Sequence, residues 1–354
     1  MHNALCELKK ADWLKYKNMS KKSVLLINLG TPEQCDAAFV RRYLREFLND
    51  ARVVDLPAIF RWPLVNLLIV PFRYRKTLAA YQQIWTKAGS PLLTFSEKIQ
   101  EKLSQELGPD YQVELAMRYG KPTIQSALDK IRDSDSMIVI PLFPQYSSAA
   151  TGSAAEKLLS CISQKWNIPE LILIKDFYHH QGFIGAYAEI IKNHIRDKKI
   201  DKIIFSYHGL PERQISKSEC AATCDHINDC PLVSDANQYC YRAQSYATSK
   251  LIADELKLKK NQYIVSFQSR LGRTPWIKPY TDLLLPELIQ QDVKNIAVVS
   301  PSFVADCLET LEEINIRLRK QWMDLGGQEF TFIPCVNDNQ VWIKALSEIC
   351  CRLG

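Results

Sequence analysis

Eight short apolar, β-branched runs recur along the chain, separated by segments of helical periodicity, and this alternation restricts the fold more than any other feature. The runs occupy residues 24–29, 111–116, 137–142, 171–174, 202–205, 263–267, 296–299 and 330–333. Segments 39–48, 96–107, 123–131, 183–195, 236–256, 280–289 and 304–320 suit crossover helices. Strands this apolar are buried on both faces, and strands that alternate with helices pair in parallel. Four runs fall before about residue 199 and four after it, with the polar segment 196–201 between them. The expectation is an α/β protein of two similar lobes, each a four-stranded parallel sheet flanked by helices, facing across a cleft. Residues 20–199 would form the first lobe and 200–335 the second. In the remaining stretch, 336–354, a helix Gln340–Leu353 carrying Val341, Ile343, Leu346 and Ile349 is expected to return to the first lobe.

Several function classes drop out at once. The chain has twelve glycines, and neither a GxGxxG nor a P-loop pattern follows any of the eight runs, so the usual phosphate cradle of a nucleotide site is missing. A formal charge of +6 spread over 354 residues does not mark a nucleic-acid partner; an anionic small molecule or a membrane surface suits it better. Residues 1–22 lack the apolar core of a signal peptide, and no stretch has the length of a spanning helix. A cytoplasmic location is therefore expected, with peripheral contact to the inner face of the membrane as the remaining option. In that compartment eleven cysteines read as reduced thiols and metal ligands, not as a disulfide framework.

Three stretches carry chemistry. The fifth run leads into Ser206-Tyr207-His208-Gly209-Leu210-Pro211, which sets an imidazole at the carboxyl edge of a sheet, where open α/β proteins bind ligands. The seventh leads through Ser300-Pro301-Ser302-Phe303 into Asp306, Glu309 and Glu313, which share one face of a helix, either as an acidic first turn or as ligands and proton carriers. Both constellations follow strands of the second lobe, so both point to one cleft. In the first lobe, residues 56–93 combine Leu56, Ile59, Phe60, Trp62, Leu67 and Leu68 with Arg61, Arg73, Arg75 and Lys76. This stretch is too dense in prolines for one core helix; it reads as a buried irregular segment or as an apolar lip over a flat hydrophobic ligand or a bilayer.

These motifs resemble the ferrochelatases over residues 23 to 345. The resemblance rests on Leu29-Gly30-Thr31-Pro32-Glu33, Met117-Arg118-Tyr119-Gly120, Pro144-Gln145-Tyr146-Ser147, Thr151-Gly152-Ser153, the His208 motif, Phe267-Gln268-Ser269-Arg270 with Trp276, and Ser302 to Leu311. It implies two Rossmann-like lobes without a nucleotide and insertion of Fe(II) into protoporphyrin IX, the last step of haem synthesis. By the same resemblance His208 and Glu309 are the metal-binding and proton-handling pair, with Glu313 as second carboxylate. Arg118, Tyr119 and Trp276 become porphyrin-pocket residues. Leu29 stands where coproporphyrin-using enzymes often carry tyrosine, which favours protoporphyrin.

The reaction explains the residue types. Iron must shed water and enter a ring that gives up two pyrrole protons, so the site needs N/O ligands for Fe(II) and a base near neutral pH. His208 is expected as chief proton acceptor and ligand, Glu309 as ligand and relay, and Glu313 with Asp306 as an acidic path. Two positions depart from the animal enzymes: Cys307 replaces a histidine, and Ser148 replaces a cluster cysteine. Here Cys220, Cys224, Cys230 and Cys240 follow the His208 motif instead. Four thiolates suit a [2Fe–2S] cluster or a structural Zn(II), with reduced surface thiols as the third option. A cobalt-inserting chelatase with a more acidic substrate would want fewer apolar lip residues. A porphyrin carrier without turnover would tolerate His208→Ala.

Overall fold

The computed structural model describes residues 22–131, 134–218, 230–270, 272 and 274–353. Its strands coincide with the apolar runs: β1 (Lys22–Gly30), β2 (Tyr111–Tyr119), β3 (Ser136–Pro141), β4 (Glu170–Leu173), β5 (Lys202–His208), β6 (Tyr263–Gln268), β7 (Asn295–Val299) and β8 (Glu329–Phe332). They form two four-stranded sheets, ordered β2-β1-β3-β4 and β6-β5-β7-β8. Every pairing is parallel, as strands joined by crossover helices must be. The second sheet repeats the strand order of the first. In each, the chain leaves the first strand for one neighbour and then crosses to the other side. The carboxyl ends of β1 and β5 therefore stand at topological switch points, where this architecture opens a crevice.

Alternation along the strands divides the core. Val24 and Leu26 of β1, with Phe205 and Tyr207 of β5 and Ala297 and Val299 of β7, join one continuous cluster that runs through both lobes. Leu25 and Ile27 face an outer cluster of the first lobe, while Ile204, Ile296 and Val298 face one of the second. Each fully buried side chain of this kind contributes roughly 1.5–3 kcal/mol relative to exposure.

Polar contacts reinforce the junction of the lobes. The helix Tyr241–Glu255 of the second lobe buries Gln244 and Thr248; Gln244 Oε1 accepts from Tyr146 N at 2.6 Å, and Thr248 Oγ1 donates to Tyr178 O at 3.0 Å. The helix Gln340–Leu353 packs Trp342 against Phe183 and Phe177, with ring centroids 5.5 and 5.2 Å apart, and Gln340 Nε2 reaches Glu106 Oε2 at 3.2 Å. It therefore lies on first-lobe elements.

Three expectations on local structure need correction. The helix expected over 236–256 starts at Tyr241. The helix expected over 304–320 starts at Glu309 and is a π-helix, Glu309–Leu318, continued by Arg319–Asp324. Residues 58–84 are helical throughout despite their prolines: Ala58–Pro63, a π segment Leu64–Ile69, and Val70–Ile84. Pro63 ends the first segment and Pro71 lies in the first turn of the third, so the missing N–H groups fall beside the wider π turn. One face of this helical stretch packs Val65 and Val70 near Leu308 and Leu311. The other leaves Ile59, Phe60, Trp62 and Phe72 between 60% and 79% exposed.

Candidate active site

β5 ends on His208, and the next residue explains why the chain can turn there. A Cβ on Gly209 would stand 2.7 Å from Gln268 O and 3.3 Å from the Trp276 ring, so only glycine allows β5 and its neighbours to approach this closely. The imidazole is held on its backbone side: His208 N donates to Ser302 Oγ at 3.1 Å, and His208 O accepts from Tyr241 OH at 2.9 Å. His208 Nδ1 lies 2.7 Å from the carbonyl oxygen of Gly209, which has no proton to give. Nδ1 therefore carries the hydrogen, and Nε2 is left with a lone pair for a metal or a proton.

The carboxylates sit on the π-helix that follows β7. Hydrogen bonds in a π turn run from residue i to i+5, so groups four and five apart face alike. Glu309 and Glu313 share one side, and Arg317 pairs with Glu312 and lies 3.6 Å from Glu313. Burial pushes the Glu313 carboxyl above its usual range, the Glu309 charge pushes it further, and Ser269, Arg317 and His208 oppose the shift. These three candidates thus share one electrostatic field. Among the described residues no group of three or more His, Cys, Asp or Glu side chains is spaced to hold a metal ion.

Asp306 does not join the acidic path. Its Oδ1 accepts from Thr310 Oγ1 at 2.9 Å and Cys335 N at 3.2 Å, its Oδ2 from Asn337 Nδ2 at 2.7 Å, and it is buried. It ties the chain ahead of the π-helix to the Cys335–Asn337 segment. Cys307 is buried too; burial first, then the Glu309 charge, push its thiol well above the usual range, so it stays protonated.

The remaining candidates divide into two groups. Trp276 bridges Pro211 beside the His208 loop, and half-buried Leu29, near the end of β1, packs against the buried cluster that includes Val40, Val65 and Tyr119. Arg118 and Tyr119 turn away towards Asp50. Arg118 Nε donates to Ser153 Oγ at 2.7 Å and its Nη2 pairs with Asp50, while Tyr119 OH donates to the same carboxylate at 2.9 Å and is fully enclosed. Of the cysteines, Cys220 and Cys224 lie outside the described residues. Cys230 Sγ accepts from Arg242 Nη1 at 2.9 Å, and Cys240 is buried at the start of the helix Tyr241–Glu255.

Several positioning groups escape the sequence. Gln268 Oε1 accepts from Ser206 Oγ at 2.6 Å while its Nε2 donates to Glu309 O at 2.9 Å, tying β5, β6 and the π-helix together. Ser269 donates to Glu313 from a left-handed backbone, φ 66°, a conformation that costs energy for a residue with a Cβ and collects at working sites. Both lie in a motif that the sequence brings forward, but nothing in the motif gives their direction. Tyr241 and Asp50 belong to none of the quoted motifs. A cleft of about 460 Å³ opens alongside, between Arg52, Asp55 and Tyr146 of the first lobe and Leu210, Gln214 and Tyr241 of the second.

The chain is similar to known proteins over nearly its whole length. The family model described as ferrochelatase matches residues 21–353. A ferrochelatase of Legionella pneumophila (strain Lens) is 53% identical over 329 residues, covering 93% of this chain and 98% of that protein. One of Coxiella burnetii (strain Dugway 5J108-111) is 46% identical over 345 residues, covering 97% and 96%. Among solved structures, SirB from Bacillus subtilis aligns over 93% of both chains with a TM-score of 0.49 at 11% identity. A family match from end to end and relatives near half identity lead to one conclusion: the chain belongs to the ferrochelatase family.

Proposed function

We propose that the protein inserts ferrous iron into protoporphyrin IX to give protohaem, releasing two protons, as the last step of haem formation. The observation that carries the reading is the pairing of His208, whose Nε2 lone pair is left available by the Nδ1 bond to Gly209, with Glu313, whose carboxyl is raised by burial and by Glu309. A neutral imidazole accepts a pyrrole proton near neutral pH, and a carboxyl of raised affinity passes it on. Glu309 and His208 offer N and O donors to Fe(II) as it exchanges its waters for the ring. Trp276, Leu29 and the exposed apolar face of residues 58–72 would hold the flat macrocycle. Arg118 and Tyr119, braced on Asp50, support its wall. Under anaerobic conditions, protoporphyrin fluorescence should disappear when Fe(II) is added to the purified protein. Binding without loss of fluorescence would mean a carrier.

The lobes are read as 20–199 and 200–335, with 336–354 completing the first. The compartment is read as cytoplasmic, with the lip resting on the inner face of the membrane. Among the described residues no helix is long and apolar enough to cross a membrane. The exposed Ile59, Phe60, Trp62 and Phe72 beside Arg61 and Arg73 suit the headgroup boundary, and co-sedimentation with anionic vesicles is the check.

Cys230 and Cys240, with Cys220 and Cys224, are proposed to hold a [2Fe–2S] cluster. The guanidinium of Arg242 donating to Cys230 Sγ is the kind of partner that thiolate ligands take. When bound, the cluster would brace the loop after the catalytic strand. Anaerobically purified protein should be coloured and EPR-active after reduction. A colourless preparation with one zinc per chain would replace the cluster by a structural Zn(II), and one with neither would leave reduced thiols.

A further inference from the structure

One carboxylate in the wall of the cleft plays no part in the chemistry above, yet it is bound from across the lobes by two cations, one in a short helix and one at its C-terminal end. Asp55 lies at the foot of the lip, and its side chain is 13% exposed. Arg213 Nε reaches both of its oxygens, at 2.9 and 3.1 Å, Arg213 Nη2 donates to Oδ1, and Lys217 Nζ donates to Oδ2 at 3.1 Å. Gln214 Nε2 approaches the carbonyls of Arg52 and Val53, each at 3.5 Å. Hydrogen bonds from Arg213 outweigh partial burial, and with help from Lys217 they hold the Asp55 carboxyl down at about 2. An isolated surface ion pair contributes little, but a bidentate arginine with a second cation on a mostly covered carboxylate is the geometry in which such pairs count.

Both ends of this contact run into the site. On one side the chain is hydrogen-bonded from Asp55 into the lip: Leu56 N donates to Val54 O at 2.8 Å, Arg61 Nη1 to Leu56 O at 2.7 Å, and Phe60 N and Arg61 N both return to Pro57 O. On the other side, the helix Glu212–Ser216 follows His208-Gly209-Leu210-Pro211 directly. That loop is sewn to Trp276 by Ile277 N to Leu210 O at 3.0 Å and Glu212 N to Pro275 O at 3.0 Å. The first-lobe lip and the second-lobe loops carrying His208 and Trp276 are therefore joined by the Asp55 carboxylate.

We propose that Asp55 is a positioning residue that latches the lip to the His208 loop through Arg213 and Lys217, fixing the opening in which the macrocycle is held. The inference rests on reading the apolar face of residues 58–72 as the grip on the porphyrin. Releasing the latch leaves His208, Glu309 and Glu313 where they are and loosens the grip, so it weakens porphyrin capture more than turnover.

Asp55→Asn, Asp55→Glu, Arg213→Gln and Phe60→Ala are compared by steady-state porphyrin titration, with hydrogen exchange followed over residues 56–70. Asp55→Asn and Arg213→Gln are each expected to raise the porphyrin KM about fivefold, with a smaller fall in kcat, and to speed exchange across the lip. Asp55→Glu should recover most of the KM. Raising the salt concentration should move the wild type towards Asp55→Asn while leaving that variant nearly unchanged. If Asp55→Asn does not fold, Arg213→Gln removes the same bonds from the opposite side. Wild-type KM and lip exchange in Arg213→Gln overturn the latch, as does a loss in which kcat and melting temperature fall together while KM holds. If Phe60→Ala also leaves KM unchanged, the reading of the lip fails; if it raises KM while the latch variants do not, only the latch fails.

Discussion

Replacing His208 with alanine is expected to lower kcat for metal insertion by about three orders of magnitude, with the porphyrin KM within about threefold of the wild type. The asymmetry follows from where the ring sits. Its backbone is fixed by Ser302 and Tyr241, and both contacts survive the substitution because they are made by His208 N and O. What disappears is Nε2, the ring nitrogen set beside the Glu309 and Glu313 carboxylates. Glu313 does not replace it, since its carboxylate is engaged by Ser269 and faces Arg317. The same variant should still take up porphyrin, read as fluorescence that no longer falls on adding Fe(II). Turnover near the wild-type rate would remove His208 from the mechanism.

The second large effect is on the fold. Gly30 ends β1 with φ +113°, and a Cβ there would stand 1.8 Å from the carbonyl oxygen of Tyr119, its partner in the parallel pairing with β2. That neighbour is backbone, so no side chain can swing away to make room. Gly30→Ala is expected to cost more than about 4 kcal/mol and to reach the cell as insoluble or unfolded protein. Gly185 provides the contrast: it lies inside the helix Gln181–Ile195, and a Cβ there meets nothing within 4 Å. Gly185→Ala should stay folded and gain roughly 0.5–1 kcal/mol from helix propensity. Soluble yield and thermal melting of the two variants provide the comparison.

The sheets were legible because doubly buried parallel strands leave short, near-continuous apolar runs, such as those in β1 and β7, at regular alternation with helical segments. The position of His208 was legible for a related reason: a histidine and glycine at the end of such a run can only lie at the sheet edge. The helices were harder. Glu309 and Glu313 satisfy an α-helical face as well as a π-helical one, so periodicity alone does not separate the two. In residues 58–84 the prolines argued against a helix, yet each falls where a π turn absorbs the missing donor. Side-chain direction was not legible at all. Arg118 reads as a cation for an anionic ligand, but the sequence does not reveal that Asp50, sixty-eight residues earlier, takes up its Nη2.

The most direct test of the account is a stopped-flow experiment in weak buffer with an indicator dye, mixing anaerobic Fe(II) with enzyme already holding protoporphyrin. Loss of porphyrin fluorescence and proton release should proceed at one rate, with two protons appearing for each iron inserted, and both signals should vanish in His208→Ala. Fluorescence lost equally fast in wild type and His208→Ala would contradict the claim that metal insertion runs through the His208, Glu309 and Glu313 site.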